Sequence, residues 1–405
     1  MAPTAANFDA VSGSVTRGLA DELRHRVIRG TFKRGESMPS ERLLADDFAV
    51  SRDTVRSALQ QLEREGLIST SGRRRTVVGI RRASMGINSQ TVMVLSVSRP
   101  DRVLRQPSPG WAVHFENGAI DAIRSNRHNA LVVAVESFED PRHLDEVLLN
   151  PPRGIVVSSE AHSRECERSV LDRLSCAGIA IVTEGHPDGT EDFDRVCSDH
   201  VAGARALTHF LQKIGSRQIV HLLPDEPSHQ YWTTSREAGH TQAMRDAHLE
   251  PRPTRWLGEI KRHLFAGYRE FEAATMQMIG YLHEERRQHG EFDAIMCPSD
   301  GYVPIAAAAC RKLGFEPQRD VAIVGYDHYW ANIQARQWES TAPLATIDKQ
   351  DYEIGRRMVA LLERRLAGQT PATPASETMP VSLIDCRQQT WLDVLPGTSM
   401  FDRSS

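Results

Sequence analysis

The chain contains no run of eighteen apolar residues, which excludes an ordinary membrane-spanning helix. Its first fourteen residues lack both the basic and the apolar segment of a secretory signal, so a cytoplasmic location is expected. The six cysteines (Cys166, Cys176, Cys197, Cys297, Cys310 and Cys386) are scattered, with no C-x-x-C pair and no histidine at zinc-ligand spacing. They read as small buried apolar residues, and no disulfide framework or metal site is expected. Neither G-x-S-x-G nor H-E-x-x-H occurs, which removes the nucleophile elbow and the zinc-protease helix. Lysine is scarce: only Lys33, Lys213, Lys261, Lys312 and Lys349 are present, none in a cofactor motif. These absences together predict a protein that is not an enzyme and carries no cofactor.

What is present is a chain of 405 residues, 40% hydrophobic and 25% charged, long enough for two or three folded units. Its net charge of −4 hides an asymmetry. The first 90 residues hold 15 Lys and Arg against 10 Asp and Glu, and the remaining 315 hold 34 against 43. A basic head on an acidic body suits a DNA-binding segment joined to a body that does not bind DNA.

From Thr16 to Phe32, Leu19, Leu23, Val27 and Ile28 repeat at helical spacing, with Gly30 and Gly35 as breakers. Ser40 is placed to cap a second short helix with Leu43, Leu44 and Phe48 facing inward. Ser51 caps a third, which buries Val55, Ala58, Leu59 and Leu62 and stops at Gly66. The last two form a helix-turn-helix. On the opposite face of the third helix, Arg52 and Arg56 lie one turn apart with Thr54 beside them. Arginines so placed suit guanine edges in a major groove, although a solvated helix face has the same appearance. The hairpin that follows, Leu67 to Thr70 and Thr76 to Gly79 around Ser71-Gly72-Arg73-Arg74-Arg75, has the form of a wing with a cationic tip able to meet phosphates.

Here the sequence resembles the GntR family of winged-helix regulators, over roughly residues 15 to 79. The resemblance is carried by Met38-Pro39-Ser40-Glu41-Arg42-Leu43-Leu44-Ala45, by Val50-Ser51-Arg52-Asp53-Thr54-Val55-Arg56-Ser57-Ala58-Leu59, and by Leu62 with Glu65-Gly66-Leu67-Ile68. It implies DNA contacts at Arg42, Ser51, Arg52, Thr54, Arg56, Gly72, Arg73 and Arg74. Asp53 departs from the uncharged residue common there and is expected to face the positive end of its own helix.

After a polar, basic linker at 80–90, apolar runs alternate with helical segments. Strands are expected at Thr91–Val97, Ala130–Val135, Gly154–Val157, Gly178–Val182, Gln218–Leu223, Ala294–Cys297 and Val321–Val324. Helices are expected at Phe115–Arg124, Val201–Ile214, Gly239–Ala247 and Tyr302–Leu313. This alternation predicts an α/β body of parallel sheets flanked by helices, with ligand at the carboxyl ends of the strands. Asp300 and Asp327 follow two such ends, and Asp199 and Arg236 are expected to open helices. Together they suit a polyhydroxylated or anionic ligand, or are simply caps and loop acids.

The body resembles the LacI/GalR ligand-binding domain, a two-lobed fold shared with periplasmic sugar-binding proteins, over about 91 to 390. The matching stretches are Ser198 to Ala204 with His209-Phe210-Leu211, Ser235 to Gly239, Phe292 to Asp300, Asp320 to Asp327, and Pro343 to Ile347 running on to Ile354-Gly355. The resemblance implies ligand contacts at Arg236, Asp327 and Asp199, and an aromatic at Trp111. Trp232 is placed to line the cleft, and Ser299 departs from the residue usual before Asp300. Lobe 1 is expected at 91–198 and 343–371, and lobe 2 at 199–342 and 372–405.

A head of the first kind on a body of the second is the arrangement of the arabinose-repressor-like branch of the GntR regulators. It implies a homodimer on a palindromic operator of double-stranded DNA, repression, and a small-molecule effector that is a sugar or sugar derivative. Two alternatives are a transport-type binding protein, which the head and the absent signal oppose, and a GntR fusion with an aminotransferase-like body, which the lysines oppose.

Overall fold

The computed structural model describes residues 15–16, 18–24, 26–27, 31–32, 35–64, 67–71, 74–77, 87–96, 110–158, 165–185, 191–225, 231–260 and 265–388. It partitions into one unit of Met1–Met93, Val135–Ile155 and Glu165–Ala180 and a second of Val94–Ala134, Val156–Arg164 and Ile181–Ser405.

In the head, helix α1 (Glu41–Phe48) follows the Ser40 cap, whose hydroxyl accepts from the Leu43 amide at 3.2 Å. Helix α2 (Arg52–Arg64) begins after Ser51, whose hydroxyl accepts from the Thr54 amide at 3.1 Å. The turn between them is closed by Ala49 in the left-handed conformation, φ 51°. Strands β1 (Ile68–Ser71) and β2 (Arg74–Val77) pair antiparallel from Ile68 opposite Val77 to Ser71 opposite Arg74, as a wing requires. The wing tip, Gly72 and Arg73, lies outside the described residues, as do Ile28 and Gly66.

Leu19, Leu23, Val27, Leu44, Val55, Ala58, Leu59, Leu62, Ile68 and Val77 form one buried core, against which Leu149 packs. Leu43, expected on the inner face of α1, is instead 50% exposed. Neighbouring residues on a helix point 100° apart, so in an eight-residue helix Leu44 takes the core and Leu43 does not.

The body contains strands β3 (Thr91–Ser96), β4 (Asn129–Ala134), β5 (Gly154–Val157), β6 (Ile181–Glu184) and β7 (Asp194–Ser198), with helices α3 (Gly110–Ser125), α4 (Pro141–Leu149) and α5 (Glu165–Cys176). There follow α6 (His200–Lys213), β8 (Ile219–Pro224), α7 (Tyr231–Asp246), β9 (Arg255–Leu257), α8 (Tyr268–His289), β10 (Ala294–Met296), α9 (Val303–Lys312), β11 (Ala322–Val324), β12 (Ala345–Asp348), α10 (Asp351–Leu366), β13 (Ser376–Met379) and β14 (Ser382–Asp385).

Two sheets organise it. One has six strands in the order β13-β7-β6-β5-β3-β4, with β13, β7 and β6 parallel; the other has four in the order β11-β10-β8-β9, every neighbouring pair of it parallel. A separate antiparallel pair, β12 with β14, reaches the edge of the second sheet through Gly325 N–H to Ala345 O and Leu344 N–H to Ile323 O, each 2.9 Å. Thus β12 serves the second sheet and β13 the first, so the chain passes between sheets after Asp348 and again after Met379. The expected passages near Pro343 and residue 372 are displaced, because each follows the end of a strand and neither strand has a long apolar run to mark it.

The apolar runs give most strands their place, within one to three residues. α8 and α10 carry many charges and were not expected, although Met278, Leu282, Met358 and Leu362 are fully buried. Helix α7 begins at Tyr231 rather than near Gly239, so Arg236 lies within it and does not open it. Tyr231-Trp232-Thr233-Thr234 are weak helix formers, and burial of Thr233, Arg236 and His240 overrides their propensity. Two glycines permit close helix crossings: a β-carbon at Gly239 would overlap the Val201 carbonyl, and one at Gly203 would overlap the Tyr326 hydroxyl.

Candidate functional site

On the head, Arg42, Ser51, Arg52, Arg56 and Arg74 are exposed and Thr54 is half-buried. Thr54 shares a 2.8 Å hydroxyl bond with Ser51. Arg56 donates to Glu41 Oε2 and to Asp53 Oδ1, each at 3.0 Å, and Arg75 donates to Glu41 Oε1 at 2.8 Å. Arg75 and Arg56 together hold the Glu41 carboxyl below the usual carboxylate range. With Arg56 about half exposed, these are surface pairs in high dielectric, held weakly enough for a polyanion to replace the carboxylate. Asp53 sits in the first turn of α2, as expected of an acid at a helix N-terminus. Arg74 donates to the Ser37 hydroxyl. The arrangement is a rigid apolar layer carrying an outward polar face, which is what a major groove accepts.

In the second unit a different kind of cluster forms where strands end. Arg236, only 4% exposed, is held from several sides. Its Nη1 donates to Pro298 O at 2.7 Å, its Nη2 lies 3.5 Å from Asp327 Oδ1, and its Nε donates to His200 Nδ1 at 3.4 Å. Its guanidinium carbon lies 3.4 Å from the centre of the Tyr326 ring and 4.4 Å from that of Trp232. Because His200 Nδ1 accepts from Arg236, its proton sits on Nε2, 3.5 Å from the Tyr231 hydroxyl. Burial, reinforced by the charges of Arg236 and Lys349, keeps His200 neutral by pushing its pKa well below the usual histidine value.

Lys349, at the end of β12, places its ammonium 3.3 Å from Asp327 Oδ1 and 3.3 Å from Asp351 Oδ1. Glu184, the last residue of β6, is 3% exposed and its charge reaches Lys349, Asp351 and Tyr231. Burial lifts the Asp351 carboxyl to about 7, opposed by Lys349 and assisted by Glu184 and Asp327. Asp327 and His328 are consecutive non-glycine residues at positive φ, 79° and 50°, so the backbone is strained where it turns into the cluster.

Of the residues singled out in the sequence, Trp232, Arg236 and Asp327 come together. Asp199 caps α6, accepting from the Ala202 amide at 2.8 Å. Asp300 is fully buried and engaged with its own fold. It accepts from the Tyr329 and Trp330 amides at 2.9 and 3.0 Å and from the Thr346 hydroxyl at 2.7 Å, while burial raises its pKa to about 7. Trp111 is the second residue of α3, and its side chain lies outside the described residues. Sequence reasoning missed Glu184, His200, Tyr231, Tyr326, Lys349 and Asp351. The available signal was positional: each stands at or just beyond a strand end or in the first turn of a helix.

The model of the bacterial regulatory proteins of the gntR family matches residues 16–78, and that of the periplasmic binding protein-like domain matches residues 208–387. The chain is a DNA-binding transcriptional regulator, with a gntR-type head and a periplasmic-binding-protein-like body. Among its relatives is the arabinose metabolism transcriptional repressor of Geobacillus stearothermophilus, 24% identical over 335 residues, which are 77% of this chain and 81% of the relative. Its fold is shared with a transcriptional regulator CelR–cellobiose complex, TM-score 0.57 at 18% identity, covering 86% of this chain and 98% of that one. It is also shared with the lac repressor dimer bound to operator and the anti-inducer ONPF, TM-score 0.55 at 16% identity, covering 75% and 93%. Among the described residues no helix is long and apolar enough to cross a membrane, and no group of His, Cys, Asp and Glu is gathered to hold a metal ion.

Proposed function

We propose that this regulator is a repressor that binds operator DNA through α2 and the wing and changes its operator affinity when a carbohydrate enters the Arg236–Asp327 cluster. The head is taken as residues 1–79, joined through 80–90 to a sensor at 91–405, and the working unit as a homodimer on a palindromic site. Arg52 and Arg56 read base edges, Thr54 and Ser51 fix the start of the helix, and Arg42, Gly72, Arg73 and Arg74 meet the backbone. In the sensor, Arg236 and Asp327 bind the ligand, with Trp232 and Trp111 as its aromatic walls, while Asp199 and Asp300 hold the backbone that presents them.

The observation that carries this reading is the buried charge cluster at the strand ends of the same chain whose exposed arginines stand on a packed helix. Buried charge of this kind is costly for a fold and is characteristic of a site rather than of packing. The relatives support a carbohydrate: one is a repressor of arabinose metabolism and one fold neighbour holds cellobiose.

Fluorescence anisotropy with the chain's own upstream DNA tests the proposal. A carbohydrate that binds the sensor should shift operator affinity about 5- to 150-fold, the usual range of allosteric coupling. Equal binding to random DNA, or operator binding indifferent to every sugar that stabilises the protein, would refute it.

A further inference from the structure

The β13 edge of the six-stranded sheet has two unlike faces. Side chains alternate along a strand, and residues paired across neighbouring parallel strands share a face. On the face that α10 covers, the charges are matched. Asp194 accepts from Arg365 and from the Ala375 amide, and Glu377 accepts from Arg357 and Arg364. On the other face the register aligns Ser376 of β13, Arg195 of β7 and Thr183 of β6 as one polar row across three strands.

That row holds a cation with no counter-ion among the described residues. Arg195 is half-buried, yet its Nε and Nη1 are sealed from solvent and neither meets an acceptor. Beside it the Thr183 hydroxyl, on a residue with 0% exposure, has no partner either. The next side chain of β7 on this face is Cys197. Burial pushes its thiol up to about 11, against the charge of Arg195, so the sulfur is neutral and supplies no negative charge. Asp194 and Glu184, the acids adjoining Arg195 and Thr183 in sequence, fall on the opposite face by the alternation, and Asp194 is taken by Arg365. Water can satisfy a buried hydroxyl, but it leaves a desolvated charge uncompensated. An oxyanion does both, through short charge-assisted hydrogen bonds to the guanidinium. The row opens to solvent at Ser376, which is exposed.

We propose that this row is a second ligand site, separate from the Arg236–Asp327 cluster, which takes a small oxyanion whose oxygens accept from Arg195 and Thr183, with the Ser376 hydroxyl at its rim. A phosphate and the carboxylate of a small metabolite share this chemistry. An anion held there ties β6, β7 and the edge strand β13 together, so its binding stabilises the fold by mass action.

The test uses the full chain, titrated calorimetrically with sodium phosphate, sodium sulfate and sodium acetate against chloride of matched ionic strength, with thermal unfolding followed in each. Arginines of the head also attract phosphate, so every titration is repeated with Arg195→Met and Thr183→Val, which leave the head untouched. The expected result is saturable binding of at least one oxyanion, weakened about tenfold or more by Arg195→Met and less by Thr183→Val, which deletes only a neutral hydroxyl. In anion-free buffer Arg195→Met should unfold at the same temperature as the native chain or higher, because methionine fills similar space without an uncompensated charge. Binding of phosphate and sulfate alone supports a tetrahedral anion, and binding of acetate alone supports a carboxylate. Saturable binding that is the same in the native chain and in both variants, or absent from all three, overturns the proposal. A lower unfolding temperature for Arg195→Met in anion-free buffer also overturns it, since the guanidinium would then be paired within the fold.

Discussion

Arg56 and Arg236 are the same residue type, each with an aspartate close by, and they live in opposite electrostatic worlds. Arg56 stands about half exposed on α2, with Asp53 and Glu41 each at 3.0 Å in solvent. Arg236 is 4% exposed, with aromatic faces, a carbonyl, a neutral imidazole and a carboxylate arranged round it. Water screens the first set of contacts, so they are cheap to exchange for phosphate or base; the second set is desolvated, so removing one member leaves the others exposed to the full cost of burial. On the proposed reading, the head gives up its contacts to DNA and the buried cluster responds to a ligand.

The largest expected effect follows from breaking the buried side of this contrast. Arg236→Ala strands Asp327 beside a single cation and removes the layer between Trp232 and Tyr326, at a cost of about 3–5 kcal/mol in urea unfolding. A loss no larger than that of a surface substitution would mean that the cluster is not the tightly coupled unit described.

Asp300→Ala comes next. It leaves the Tyr329 and Trp330 amides and the Thr346 hydroxyl without their acceptor, and should cost about 2–4 kcal/mol. The same group also gives the fold a pH dependence. The Asp300 carboxyl is held near 7 in the fold by burial, against 3.8 for an ordinary aspartate. A raised carboxyl favours the folded state while both forms are protonated, and that contribution is lost as pH climbs from the lower value to the higher. Asp300→Asn should therefore lose less stability than the native chain between about pH 4 and pH 7, read from urea midpoints at each pH. A native and variant pair with parallel pH profiles would contradict the assignment.

On the head the expected changes are slight. Ala49 closes α1 at φ 51°, a conformation that glycine adopts without strain, so Ala49→Gly should raise head stability by roughly 0.5–1 kcal/mol. A decrease would show that the turn draws on the alanine methyl. Arg56→Ala should leave the unfolding midpoint where it is, which is the sharpest contrast with Arg236→Ala.

The same contrast explains what could be read without coordinates. In the head, every proposed DNA-contact residue lies within one short stretch, so helical period and local capping by Ser40 and Ser51 put Arg52 and Arg56 on the outer face directly. The cluster in the sensor draws Glu184 from β6, Arg236 from the middle of α7, Asp327 from beyond β11 and Lys349 from beyond β12, positions spread over more than 160 residues. Asp327 was legible because it closes an apolar strand. Lys349 and Asp351 were not, because a short strand followed by a charged helix has the pattern of a surface, and burial of an ion pair leaves no periodic trace. Asp300 was legible as a strand-end acid, but its engagement with the Tyr329 and Trp330 amides depends on a turn thirty residues away in sequence.

Operator recognition is proposed to lie on the outer face of α2. Anisotropy titration of native protein, Arg52→Ala and Arg56→Ala against operator and random duplexes at one salt concentration measures it directly. The prediction is that each variant loses roughly ten- to a hundredfold of operator preference while binding random DNA nearly as well as before. Full operator preference in both variants would contradict it.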